Sequence, residues 1–357
     1  MNFMNRISVE TGEPIETEHR LHRLPATMET IQWGYFDGDV PPALHVNSGD
    51  YVEIECLAHH AGDAADYMMD DAIRHIYENT PEETRAPGCH IITGPIYVEG
   101  AEPGDTLECR VLQMAPRLNY GINFVGTWGL LNEEFGGKEH VFLYEADTHK
   151  GVARPVFQYE YDSPEKAIPG RFTTVDPSQR KPTMEGIAVP LRLHFGAAGV
   201  APAESGKLST IPPGSFGGNV DNREFVAGTR MFYPVHRTGA LFSAGDTHFA
   251  EGDGEVNGTA IEAHVNATIQ LILHKNKKLK NPVLETPELW ITHGFNEDLD
   301  LATREAVLEM IDLLEREWGI SRVEAYSLCS VAGDLRITQV VDGVKGAHMA
   351  MPRNVKR

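Results

Sequence analysis

The chain has 357 residues, 41% hydrophobic and 23% charged, with 52 acidic against 31 basic side chains and a formal charge of −21. This is globular composition, neither disordered nor fibrous, and long enough to bury a substantial core. So acidic a surface repels nucleic acid and anionic membranes, whereas a small neutral substrate is indifferent to it.

The N-terminus, MNFMNRISVETGEPIETEH, reads as a polar leader without the apolar core of a signal peptide. No apolar run reaches the roughly 20 residues that a bilayer span needs. Cys56, Cys89, Cys109 and Cys329 are scattered, with no CxxC pair, which predicts reduced thiols in a cytoplasmic protein.

Pro41 to Cys56 reads as extended structure broken by a Ser-Gly-Asp turn, with Val52, Ile54 and Cys56 alternating with Glu53 and Glu55. Glu78 to Arg85 is charged and predicts a surface loop. Gly94 to Met114 repeats the first pattern: a Pro-Gly-Asp turn, then Leu107, Cys109 and Val111 alternating with Glu108 and Arg110. Asn119 to Arg192 is less regular and predicts loops and strands that cover a site. Ile211 to Asn222 is a Pro/Gly-rich turn region, and Arg230 to Val235 a strand. In Thr259 to Leu273, Ile261, Val265, Ile269 and Leu271 occupy one face, and Glu262, His264, Asn266, Thr268 and Gln270 the other. From Asp300 to Trp318, Leu301, Leu308, Ile311, Leu314 and Trp318 recur at helical spacing. Ser321 and Glu324 form a capping box for a second helix, and strand resumes over Leu335 to Val341. The expectation is an α+β protein, mainly β, with a helical C-terminal portion. It divides into a β-rich part (1–118), an irregular covering region (119–198) and a site-bearing part (199–357) that pack as one unit.

The densest polar stretch is SAGDTHFAEGDGEVNGTAIE, Ser243 to Glu262. Asp246 and His248 stand two apart, so an extended backbone projects both from one face. Asp253 and Glu255 repeat that spacing, and upstream Asn219 and Asp221 share a Gly-Gly-Asn-Val-Asp turn. Singly, each is an ordinary turn or solvated residue. Gathered among glycines, carboxylates and an imidazole suit zinc or another divalent ion. Such an ion lowers the pKa of water to roughly 7 and polarises a carbonyl, and a neighbouring carboxylate can then move the proton. His264, on a polar strand face, reads as a supporting residue. Cys89 reads as buried packing, since its neighbour His90 is expected on the opposite face of a strand. His59 and His60, with Asp63 and Asp66, fit a metal site or an exposed turn equally well. The chain has no HExxH helix, GxSxG elbow, Walker loop or Rossmann fingerprint, and no Ser/Gly-rich amidase signature.

Three blocks carry a family resemblance: CHIITGPIYVEGAEPGDTLE, IPPGSFGGNVDNREFVAGTRMFYPV and GALFSAGDTHFAEGDGEVNGTAIE. Through their GGNxD and SxGDxHxxxGDGE patterns the sequence resembles the acetamidase/formamidase family, from about Trp33 to Pro352. The resemblance implies barrel and sandwich parts with an α/β portion, a divalent metal, self-association, and hydrolysis of a short amide to carboxylate and ammonia. By position it picks out His90, Asp221, Asp246 and His248, assigned here to metal binding. It also picks out Asp253, Glu255 and Glu262, with proton transfer assigned to Glu255 or Glu262. Zinc is the first choice of ion and calcium the second. Glu251 departs from the glutamine expected there and adds charge beside the site. Two alternatives stay open: a hydrolase of another C–N bond (a carbamate, an amidine or a larger amide), and a non-catalytic β-sandwich stabilised by calcium.

Overall fold

The computed structural model describes residues 5–8, 14–161, 170–173 and 175–356. Part of the polar leader (1–4 and 9–13) and part of the expected covering region (162–169 and 174) lie outside the described residues. The chain is mostly sheet, with 39% strand against 18% helix, the mainly-β balance that alternating turns and strands predict. Among the described residues no helix is long and apolar enough to cross a membrane.

Two long strands organise the molecule. Thr106–Val125 and Glu262–His274 pair antiparallel from Glu262↔Ile122 to His274↔Thr106. Each then recruits further partners. Thr106–Val125 pairs with Arg230–Pro234 along its first half and with Glu139–Asp147 along its second, so it runs through position 118 without a break. Glu262–His274 pairs with Tyr51–Ile54 and, at its start, with Phe242–His248. Among the described residues these ladders branch and close no single barrel. Inside them lies an apolar core that includes Val52, Ile54, Ile92, Cys109, Phe242, Ile269 and Leu271. The two Gly-Asp turns are built alike. Asp50 accepts from Asn47 N and Asp105 from Glu102 N, and each leads into its strand.

The helix Leu299–Trp318, capped by Asp298, packs beside the Leu289–Asn296/Lys345–Pro352 pair. Its buried face is only in part the one that large residues predict. Ile311 and Leu314 are buried and Trp318 packs against the same core, but Leu301 and Leu308 are exposed, and Ala302, Ala306, Met310 and Leu313 complete the face. The reason is close approach: a side chain at Gly294 would collide with the carbonyl of Ala302, so small residues face the sheet. The Ser321–Glu324 capping box opens the helix Arg322–Val331 as expected.

Candidate active site

The site is built outward from the strand Phe242–His248, every residue of which is buried. It pairs with His194–Gly199, Ile91–Val98 and the start of Glu262–His274. That register sets His248 opposite both His194 and Glu262. Gly245 lets the neighbouring strand press in, because a Cβ there would meet the carbonyl of Ile91. Gly196 is crowded by side chains instead. A Cβ would fall 2.7 Å from Asp221 Oδ1 and Asp246 Oδ2, and closer to His248 Cε1. Only glycine leaves those three side chains room to converge.

Asp246 is the hub. Its Oδ1 lies 3.6 Å from His59 Nδ1, and its Oδ2 lies 3.6 Å from His248 Nε2 and 3.8 Å from His90 Nε2. Glu262 Oε2 stands 3.4 Å from His248 Nε2 while its Oε1 accepts from Ala260 N. Asp221 joins Asp246 and His248 with ligand atoms within 4.8 Å of one another, and Asp221, Glu255 and Asp342 form an adjoining group of the same span. The outer imidazole nitrogens are anchored. His90 Nδ1 donates to Thr210 O at 3.2 Å, and His248 Nδ1 faces His194 Nε2 at 3.0 Å and Glu251 Oε2 at 3.3 Å. Such partners orient imidazoles and turn the other nitrogen inward, as behind metal ligands.

What faces inward is unpaired. His59 Nδ1, both oxygens of Asp221, Asp246 Oδ1, His248 Nε2, Glu255 Oε2 and Glu262 Oε2 are buried without a hydrogen-bond partner. No Lys or Arg forms an ion pair with these carboxylates among the described residues. Buried polar groups are normally satisfied, and a buried charge without a partner costs several kcal/mol. Electrostatics register the deficit. Burial and the neighbouring carboxylates raise Asp221 and Glu255 well above the usual carboxylate range, and Asp342 to about 8. Burial would lower His248, but Glu262 and Asp246 outweigh it and raise it well above normal. Burial and His60 push His59 down to about 3, which keeps that ring neutral. The cluster attracts positive charge, and its donor set fits a divalent cation. Backbone strain collects here as well, with left-handed φ at Asp221 (52°), Asp246 (47°) and Glu255 (47°).

Of the residues read from the sequence, His90, Asp221, Asp246, His248, Glu255 and Glu262 come together. Asp253 does not join them: it is exposed and paired with Arg223 Nε at 3.2 Å. It lines a cleft of about 770 Å³ together with Glu251, Glu255, Tyr144, Arg192 and Arg223. His59 enters the cluster, and His60 is buried beside it with Nδ1 2.8 Å from Asp63 Oδ2, so the exposed turn is not what forms. His264 is a support, accepting from Ala58 N and donating to Met68 O, which braces the His59 segment from both sides. The expectation for Cys89 is corrected in part. The strand begins only at Ile91, so Cys89 and His90 do not diverge, and Sγ lies 3.4 Å from His90 Nε2. All four thiols are free. Asp342, His194 and Gly196 carried no local signal, because each reaches the site only through tertiary pairing.

The fold and the cluster together define a β-rich protein with a buried carboxylate–imidazole centre. The sequence matches the Acetamidase/Formamidase family over residues 24–207 and 204–355, and the chain belongs to that family. It is 27% identical to an acetamidase of Mycolicibacterium smegmatis, covering 89% of this chain and 88% of the relative. It is 28% identical to a formamidase of Methylophilus methylotrophus, covering 82% and 81%. A solved structure of a predicted acetamidase/formamidase from Thermoanaerobacter tengcongensis superposes with a TM-score of 0.75 at 26% identity, covering 94% of this chain and 97% of that one.

Proposed function

We propose that this protein hydrolyses a short aliphatic amide, of the formamide or acetamide kind, to carboxylate and ammonia, with water activated by a divalent cation, zinc first. Family membership and the relatives named acetamidase and formamidase support the reaction. The observation that carries the metal is the set of buried, unpaired donors around Asp246.

His90, Asp246 and His248 would hold the ion, with Asp221 on one side and His59 on the other. When bound, it supplies a water of pKa roughly 7 and polarisation of the amide oxygen. Glu262 takes the proton of the attacking water and hands it to the departing amine, since Oε1 is fixed by Ala260 N and Oε2 points free beside His248. Glu255, kept protonated by burial and by Asp221, is the second candidate donor to the leaving group. Asp253 keeps Arg223 oriented at the cleft. Cys89 is not the nucleophile, because burial and the surrounding carboxylates raise its thiol well above the normal range and deny it the thiolate.

A second reading, hydrolysis of a larger amide or a carbamate, draws on the cleft. Its volume of about 770 Å³ is in the range of pockets for drug-sized ligands and exceeds what acetamide fills. Ammonia release from formamide, acetamide, propionamide and a series of longer amides, before and after chelation and zinc add-back, tests both. Release that disappears with the metal and returns with it supports the proposal, and the series locates the preferred length. No release from metal-loaded protein with any amide overturns it.

A further inference from the structure

We infer that Asn222 and His293 are positioning residues, an amide–imidazole brace from the C-terminal strands that fixes the turn carrying Asp221 into the site. Their effect on turnover rests on the amide hydrolysis proposed above; their effect on Asp221 does not.

Asp221 has nothing to hold its carboxylate. Both oxygens are buried without a hydrogen-bond partner, so no bond of its own side chain places it. Its backbone takes a left-handed φ of 52°, which is strained for a residue with a side chain and persists where the surroundings fix it. On one side Asp221 N donates to Gly196 O at 3.2 Å. On the other stands Asn222, which is buried, and its side chain meets the fully buried His293, 71 residues along the chain. His293 belongs to the strand Leu289–Asn296, where Asn281 Nδ2 donates to its carbonyl at 3.3 Å.

Each link of the brace runs only one way. His293 Nδ1 lies 2.8 Å from the carbonyl of Pro282, which only accepts, so Nδ1 carries the proton. Burial lowers the ring's pKa to about 4, so it is neutral and Nε2 is an acceptor. Nε2 therefore accepts from Asn222 Nδ2 at 2.9 Å. That leaves Asn222 Oδ1 for Glu224 N, which donates at 3.0 Å, and Phe225 N closes the turn by donating to Asn222 O at 2.9 Å. Reversing any one link would set two donors or two acceptors face to face in the core. The brace thus admits one orientation of Asn222, and with it one path for the peptide that precedes it. Neither Asn222 nor His293 has an unpartnered side-chain atom, so both hold rather than bind, the opposite of Asp221.

The alternative is that His293 merely fills the core, and substitutions separate the two. In His293→Gln the side-chain carbonyl can stand where Nε2 stood and accept from Asn222. In His293→Asn the amide keeps the donor to Pro282 and abandons Asn222. Asn222→Ser keeps a hydroxyl for Glu224 N and does not reach His293. Crystal structures of the metal-free proteins read Asp221 directly. Kinetics with zinc and acetamide, and zinc affinity in competition with a chelator, read the consequence. In His293→Asn and Asn222→Ser the Asp221 carboxylate should shift by about 1 Å, with kcat down by about 10²-fold, KM within about threefold and zinc bound more weakly. His293→Gln should keep Asp221 in place and retain most of the wild-type kcat and zinc affinity. Asp221 unmoved in Asn222→Ser overturns the brace, as does an equal loss of kcat in His293→Gln and His293→Asn. Wild-type protein that hydrolyses no amide sinks the proposed reaction instead, and the displacement of Asp221 then decides the brace alone. Should the His293 variants fail to fold, Asn222→Ser decides.

Discussion

Glu108 and Asp221 are equally buried, each 1% exposed, yet the chain treats them in opposite ways. Glu108 is bound by Arg110, by Arg230 at 3.3 Å and by His274 at 2.5 Å. Burial alone would raise its pKa, but these partners outweigh it and the net shift is downward. Asp221 has no partner on either oxygen, and Asp342 and Glu251 add to the effect of burial, so its pKa rises well above normal. One carboxylate is neutralised by its own protein. The other, with its neighbours Asp246 and Glu262, has no Lys or Arg partner among the described residues. Structural sites complete their charge pairing, whereas a metal centre leaves the last partner to the ion.

Breaking the waiting cluster at its hub gives the largest effect. Asp246→Asn removes the one carboxylate that approaches His59, His90 and His248. Its kcat for acetamide should fall by about 10³-fold or more, comparable to loss of a principal electrostatic group, while circular dichroism stays native. Gly196→Ala comes next. The added methyl displaces Asp221, Asp246 and His248 together, and a misplacement of about 1 Å costs roughly 10²-fold in kcat. Metal affinity should drop with it, with a stability loss of about 1–3 kcal/mol from overpacking, read by urea unfolding.

Glu108→Gln sharpens the contrast from the other side. It should cost about 1–3 kcal/mol of stability and leave kcat within twofold of wild type. Its pH dependence has a defined sign. Because the folded-state pKa of Glu108 lies below 4.5, its contribution is present above that value and lost as pH falls through the lower, folded one. The stability gap between wild type and Glu108→Gln should therefore close in acid. Smallest of all, Leu308→Gln on the exposed face of the long helix should shift stability by less than about 0.5 kcal/mol. A loss of 2 kcal/mol or more would restore the helix face expected from large residues.

The sequence was most readable where structure is local. Alternation placed Asp246 and His248 on one strand face, and the Ser321–Glu324 cap and both Gly-Asp turns formed as their residues dictate. Much of the cluster was legible too, because Asp246, His248, Glu255 and Glu262 lie within one glycine-rich stretch. His59 and Asp342 were harder. Each sits on a connecting segment and meets Asp246 or Asp221 across long chain separations, and no local period records such a meeting. Gly196 stands in a strand that reads as simple packing, and its role emerges only when a methyl is imagined against His248. The long helix was legible at Ile311 and Leu314 and misled at Leu301 and Leu308 for a related reason: close approach to Gly294 selected Ala302 and Ala306 for the sheet side.

The central claim is that the unpaired donors around Asp246 hold a divalent ion on which amide hydrolysis depends. Zinc titrated into chelator-stripped protein, with ammonia release from the best amide measured at each addition, tests it most directly. Activity should start near zero, rise in proportion to bound zinc, and remain near zero throughout in Asp246→Asn. Full activity in the stripped protein, or equal zinc binding and turnover in the variant, would contradict it.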